Sequence, residues 1–183
     1  MYRAARVRRI LVKLRARPFS PLRLNRMILP RYHIAASRIP GAGKGLFLDE
    51  TVAAGRLITA PDDIQKVYKW QELQALPNAA EALAATVRWF EDRYTYTPEW
   101  PDECYINHAF EPCGIWHLGF VFAAAELAPG TEITVDYRHL LAPGQEEDFR
   151  DALSGRAIVG YTWHESLARS TAQLAALLPA VPA

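Results

Sequence analysis

Glycine and proline cut the apolar runs of this chain short. Arg38-Ile39-Pro40 leads into Gly41-Ala42-Gly43-Lys44-Gly45, and Leu46-Phe47-Leu48 follows. Val52-Ala53-Ala54-Gly55 then turns again into Arg56-Leu57-Ile58-Thr59. Turn residues at these intervals leave room for strands of a few residues and little else. The cadence returns 75 residues later as Leu127-Ala128-Pro129-Gly130-Thr131-Glu132-Ile133-Thr134, one hairpin idiom used twice.

Between the two idioms, residues 64–92 read as helical. Asn78 is placed to cap a helix whose Glu81 takes the capping-box position. Leu83, Val87 and Phe90 then share a face at i, i+4 and i+7. Residues 104–137 return to strands, with Phe120-Val121-Phe122-Ala123 as a buried run. Ile133, Val135 and Tyr137 alternate there with Thr134 and Asp136. A polar stretch follows Pro143-Gly144, and an amphipathic helix from about His164 to Leu178 turns Leu167, Leu174 and Leu178 inward. Short strands around a helical insert, without regular β-α alternation, predict an α+β domain that is mainly β.

With 183 residues, 50% hydrophobic and 22% charged, the chain has the material for one sizeable core, which excludes disorder throughout. No apolar run reaches the ~18 residues of a membrane-spanning helix. Two cysteines, Cys104 and Cys113, do not make a disulfide scaffold and fit a reducing compartment, so a cytoplasmic location is expected. The net charge of +1 conceals an asymmetry: residues 1–48 hold 12 of the 21 Lys and Arg and no acid, while residues 49–183 carry about −11. The pattern predicts a basic arm over residues 1–31 on an acidic body. Such an arm suits a solvated role, or contact with nucleic acid or an anionic membrane.

Singly, the chemical motifs are weak. Gly41-Ala42-Gly43-Lys44-Gly45 is neither a dinucleotide fingerprint nor a phosphate loop, since no Ser or Thr follows Lys44. Cys104, His108 and Cys113 fall short of the about four ligands of a closed zinc site, and no metal is expected. Tyr137 shares a face with Ile133 and Val135, so its ring belongs inside and its hydroxyl needs a partner.

In sequence order the motifs say more. Arg38 to Phe47, then Tyr105-Ile106-Asn107-His108 with Pro112, then Val121-Phe122-Ala123 and Leu127 to Tyr137 together resemble a SET domain over about residues 32–140. That family comprises S-adenosylmethionine-dependent protein-lysine methyltransferases. The resemblance implies a SET-type β-clip of small curved sheets with a knot-like crossing, a helical insert at about 64–92, and a C-terminal extension over 141–183 with a terminal helix. It also implies that Ala42, Lys44 and Gly45 hold the amino-acid end of S-adenosylmethionine, with Asn107 and His108 on the other side. Tyr137 matches the active-site tyrosine, and Trp163 or Tyr161 is expected over the adenine.

Methyl transfer needs a neutral lysine amine, which a nearby sulfonium and an apolar channel favour, so no dedicated base is required beyond what Tyr137 and His108 offer. Phe110, Trp116, Phe120 and Phe122 are the aromatics available to wall such a channel. A basic protein or peptide substrate suits the acidic body. Three positions depart from the family pattern: Ala109 and Cys113 replace polar residues that tie down the crossing, and Phe110 replaces a cysteine. Those losses leave a second expectation, a catalytically silent SET-fold protein-interaction module.

Overall fold

Short strands pair locally wherever a tight turn joins them, and that rule builds most of this protein. A computed structural model describes residues 27–61, 66–83, 85–97 and 100–178. Strands β1 (Tyr32–Ala36) and β2 (Lys44–Leu48) form an antiparallel hairpin with Tyr32 opposite Leu48. Its turn uses Gly41 at φ 80° and Gly43 at φ 82°, a region that favours glycine. Strand β3 (Leu57–Thr59) precedes two single-turn helices, α1 (Trp70–Gln74) and α2 (Ala79–Leu83). Next come the hairpin β4 (Thr86–Phe90) and β5 (Arg93–Tyr96), a 3-10 turn over Asp102–Tyr105, and β6 (Asn107–His108).

Strands β7 (Gly114–His117) and β8 (Phe120–Ala123) pair antiparallel, and β3 joins the free edge of β8. Strand β9 (Thr134–Val135) and a 3-10 turn over Tyr137–His139 lead to the hairpin β10 (Glu146–Arg150) and β11 (Ala157–Val159). Helix α3 (Trp163–Leu177) closes the described chain, begun by a capping box between Thr162 and Glu165. The architecture is therefore mixed α+β, with small, mostly antiparallel sheets and few helices. No helix among the described residues is long and apolar enough to cross a membrane.

The exception to local pairing matters most. β6 runs parallel to β9, Asn107 opposite Thr134 and His108 opposite Val135. The segment before β9 has already paired with β2: Gly130 donates its N–H to Leu48 O at 2.7 Å and Ile133 to Leu46 O at 2.8 Å. One continuous segment, 130–135, thus passes from β2 to β6. The two turn idioms also bond to each other, since Val52 and Leu127 exchange backbone hydrogen bonds at 2.9 and 2.8 Å. Beneath them lies the main core of Leu46, Leu48, Ile58, Ile106, Val121 and Ile133 with their neighbours. Each such side chain contributes on the order of 2 kcal/mol by leaving water. A second core gathers Leu73, Tyr94 and Ala142.

Several expectations are corrected. Residues 64–92 are not one helical insert: after α2, Thr86–Phe90 is strand β4, so the i, i+4, i+7 spacing of Leu83, Val87 and Phe90 is coincidental. The Asn78 side chain does not cap α2 but donates to the Tyr96 hydroxyl at 2.9 Å. β8 is no uniformly buried run, for Phe120 is exposed while Val121 and Ala123 are buried. Helix α3 buries Ser166 and Ser170 rather than leucines, and Leu178 is 68% exposed. The polar stretch after Gly144 is the β10–β11 hairpin. Of the basic arm, residues 1–26 lie outside the described residues. Residues 27–31 belong to the body, where Leu29 donates to Ile58 O and Ala60 to Met27 O.

Candidate functional site

The passage of segment 130–135 between β2 and β6 brings the three sequence motifs to one junction. The Asn107 amide donates from Nδ2 to Lys44 O at 2.9 Å, to Glu132 Oε1 at 3.0 Å and to Ser37 Oγ at 3.3 Å. Glu132 accepts in turn from the Ser37 hydroxyl and, on Oε2, from Arg38 N–H at 2.8 Å. Its carboxylate lies where a Cβ on Gly45 would stand, so a side chain at position 45 would push Glu132 off its hydrogen bonds. Sequence reasoning missed Ser37 and Glu132, although Glu132 sits within the Leu127–Tyr137 motif itself.

One residue along the strand, the buried His108 imidazole accepts from Tyr137 N–H on Nδ1 at 3.1 Å. That bond assigns the neutral ring's proton to Nε2. Nε2 has no hydrogen-bond partner and faces Asp151 Oδ1 at 3.9 Å. Burial holds the His108 imidazole below its ordinary range, against the pull of Asp136 and Asp151. Asp151 is itself fixed by Ser154 N–H and hydroxyl, both at 2.6 Å. The Tyr137 hydroxyl donates to Ile106 O at 2.7 Å, and its ring meets His108 at 5.4 Å and Phe149 edge-on at 6.4 Å. Phe149 and Asp151 reach the junction from the C-terminal hairpin, a contribution with no local signal in sequence.

Of positions 109 and 113, only Cys113 ties the junction through its side chain. Cys113 Sγ donates to Glu132 O and accepts from Thr134 N–H, both at 3.4 Å, so the thiol ties the junction as a polar side chain would. Ala109 contributes through its backbone, N–H to Val135 O at 3.1 Å. Both cysteines are free.

The expected aromatics separate. Phe110 stacks between the guanidinium groups of Arg138 and Arg156, each 4.5 Å from its ring centre, and meets His108 edge-on at 4.8 Å. Trp116 and Phe122 sit instead in the β7–β8 sheet, Trp116 against Trp89 and Phe122 against Phe120. Tyr161 packs on Arg138 at 4.6 Å, on Arg169 at 4.9 Å and on His139 at 5.1 Å. A cavity of about 280 Å3 lies there, lined by Asp136, Arg138, Tyr161 and Arg169 among others. Trp163 is in neither group; it lines a cleft of about 400 Å3 with Trp70 and Tyr94.

Buried Arg88 joins these regions. Its guanidinium donates to His139 O at 3.2 and 3.3 Å and to Tyr161 O at 2.8 Å, supplying acceptors a buried cation needs. No group of three or more His, Cys, Asp or Glu suited to a metal ion occurs among the described residues. No protein-family model matches the chain, and no curated protein does.

Proposed function

We propose that this protein is an S-adenosylmethionine-dependent protein-lysine methyltransferase acting on a basic protein or peptide. One observation carries the reading: Asn107-His108 grips the glycine turn through Lys44 O with one side chain and the Tyr137 backbone with the next. Those are the three elements the SET resemblance singles out.

The residues present fit the cofactor. A Cβ at Gly41 or Gly43 would meet no atom within 4 Å, so there is room beside the turn. Asn107 spends its amide nitrogen on protein acceptors, while its Oδ1 has no partner among the described residues and suits an ammonium donor. Ala42, Lys44, Gly45 and Asn107 would hold the amino-acid end. S-adenosylmethionine supplies, when bound, a methyl group on a sulfonium.

The chain's own residues then align and desolvate. Tyr137, its phenol held on Ile106 O, would present a fixed ring to the reacting amine. His108 is a positioning residue: with Nδ1 occupied and the proton on Nε2, it has no lone pair left to take a proton from the amine. A bound sulfonium would lower the pKa of a neighbouring amine from about 10.4, so this chain would need to align the amine rather than supply a base. The acidic excess of residues 49–183 steers a basic substrate.

The packing of Glu132 against Gly45 favours a second reading, a catalytically silent SET-fold module that binds protein partners. A thermal-shift measurement separates the two, because a ligand at 100 times its Kd stabilises by about 2.7 kcal/mol. Under the first reading, saturating S-adenosylmethionine raises Tm, and labelled methyl groups enter basic proteins. Tyr137→Phe cuts transfer by about a hundredfold or more while the Tm shift persists. No shift with cofactor leaves the module.

A further inference from the structure

Trp163 was expected over a cofactor, yet the fold assigns it elsewhere. Four parts of the chain that are distant in sequence converge on the cleft of about 400 Å3: Trp70 at the start of α1, Glu91, Asp92 and Tyr94 of the β4–β5 hairpin, Pro143, and Trp163 at the start of α3. The half-buried Trp70 ring stands 5.2 Å from the buried Tyr94 ring, tilted at 46°, so the second core fixes Trp70 at the wall of the cleft. Asp92 Oδ1 accepts Trp70 N–H at 3.0 Å and so pins the acidic turn to that wall. Neither Glu91 nor Asp92 forms an ion pair with another described side chain, and Arg93 spends its Nη1 on the Asp92 carbonyl rather than on a carboxylate. Glu91 also holds φ at 44°, an uncommon conformation for a residue with a side chain.

We propose that this cleft binds a methylated ammonium group, the side chain of a methylated lysine on a protein partner. The half-buried rings of Trp70 and Trp163 offer negative π faces, buried Tyr94 backs Trp70, and the exposed Glu91 and Asp92, with no ion-pair partner among the described side chains, add the matching charge. An unmethylated ammonium carries three N–H donors and a tight water shell, and mostly aromatic walls strip that shell without replacing its acceptors. Methyl groups spread the charge over carbon and reduce the loss, so each added methyl favours entry. The cleft shares no residue with the junction of Lys44, Asn107, His108 and Tyr137, and the proposal requires neither cofactor nor methyl transfer.

The test uses the full chain and three short peptides identical but for one side chain: trimethyllysine, unmodified lysine, and the neutral isostere with carbon in place of the quaternary nitrogen. Titration by tryptophan fluorescence and calorimetry is expected to give trimethyllysine a Kd about tenfold or more below both others. Equal binding of the neutral isostere would reduce the cleft to an apolar hollow and overturn the proposal. So would equal binding of unmodified lysine, or no binding of any peptide. Trp163→Ala is expected to abolish the preference. Because Trp163 opens α3, Glu91→Gln on its exposed turn provides the second variant: it keeps the wild-type Tm and weakens trimethyllysine several-fold without affecting the isostere. A Glu91→Gln protein that binds all three peptides as wild type does would also overturn it.

Discussion

The junction and the aromatic cleft are built on opposite principles. At the junction nearly every polar group is spent inside the protein: Asn107 on Lys44, Ser37 and Glu132, the Cys113 thiol on Glu132 and Thr134, the Tyr137 hydroxyl on Ile106. In the cleft, Trp70, Trp163, Glu91 and Asp92 line a hollow, and neither carboxylate has an ion-pair partner among the described side chains. The first arrangement fixes backbone positions, as an alignment device requires. The second keeps its interaction capacity for something outside the chain.

Changes at the joint between the two regions, then in each of them, give decreasing effects. His139 stands at the joint, its Nδ1 2.8 Å from Ser166 Oγ, its imidazole pushed down by burial to about 4 from an ordinary 6.5. A lowered histidine pKa means the unfolded chain binds the extra proton. The stability at stake is therefore full above about pH 6.5 and is lost as pH falls toward 4. Denaturant titrations should show wild type losing roughly 3 kcal/mol more over that window than His139→Gln. Equal losses would mean that the imidazole stays solvated and that the two regions are less tightly joined.

Inside the junction, Gly45→Ala drives a methyl into the Glu132 carboxylate and should cost about 2 kcal/mol. Combining it with Glu132→Ala should recover much of that loss, a coupling that a double-mutant cycle in urea reads directly. Strict additivity would show that the carboxylate yields freely and that the junction is looser than its hydrogen bonds imply. The cleft should give the smallest response, Glu91→Gln changing stability by less than about 0.5 kcal/mol. A larger loss would make Glu91 a structural group and erase the contrast.

The same division explains what the sequence made legible. Turns, β1–β2, β7–β8 and the alternation of Ile133 and Val135 are local, and their residues carry them. The ordered motifs likewise anticipated that the glycine turn, Asn107-His108 and Tyr137 meet, because each lies in or beside a strand whose partner falls within the same 32–140 span. Hairpin β4–β5 was hidden because its turn, Glu91-Asp92, contains no glycine, while Leu83, Val87 and Phe90 fall by chance at helical spacing. β10 was hidden because Glu146-Glu147-Asp148-Phe149-Arg150 carries a single apolar residue, with a register shift in its pairing. Trp163 could not be placed at all without knowing where α1 and that hairpin lie, since the cleft exists only when distant segments meet. Cys113 shows a subtler limit: only the geometry reveals that its thiol bonds to Glu132 and Thr134 across the junction.

The route of segment 130–135 also sets an order of events at the ribosome. A nascent chain grows at about 5–20 residues per second, and its hairpins close far faster than that. β1–β2, β4–β5 and β7–β8 can therefore all be complete before Thr134 has been added, leaving Asn107-His108 without a neighbouring strand and Leu46 and Leu48 without their cover from Ile133. Assembly of the catalytic candidate waits on those six residues, and the interval before they emerge is when a chaperone has most to protect.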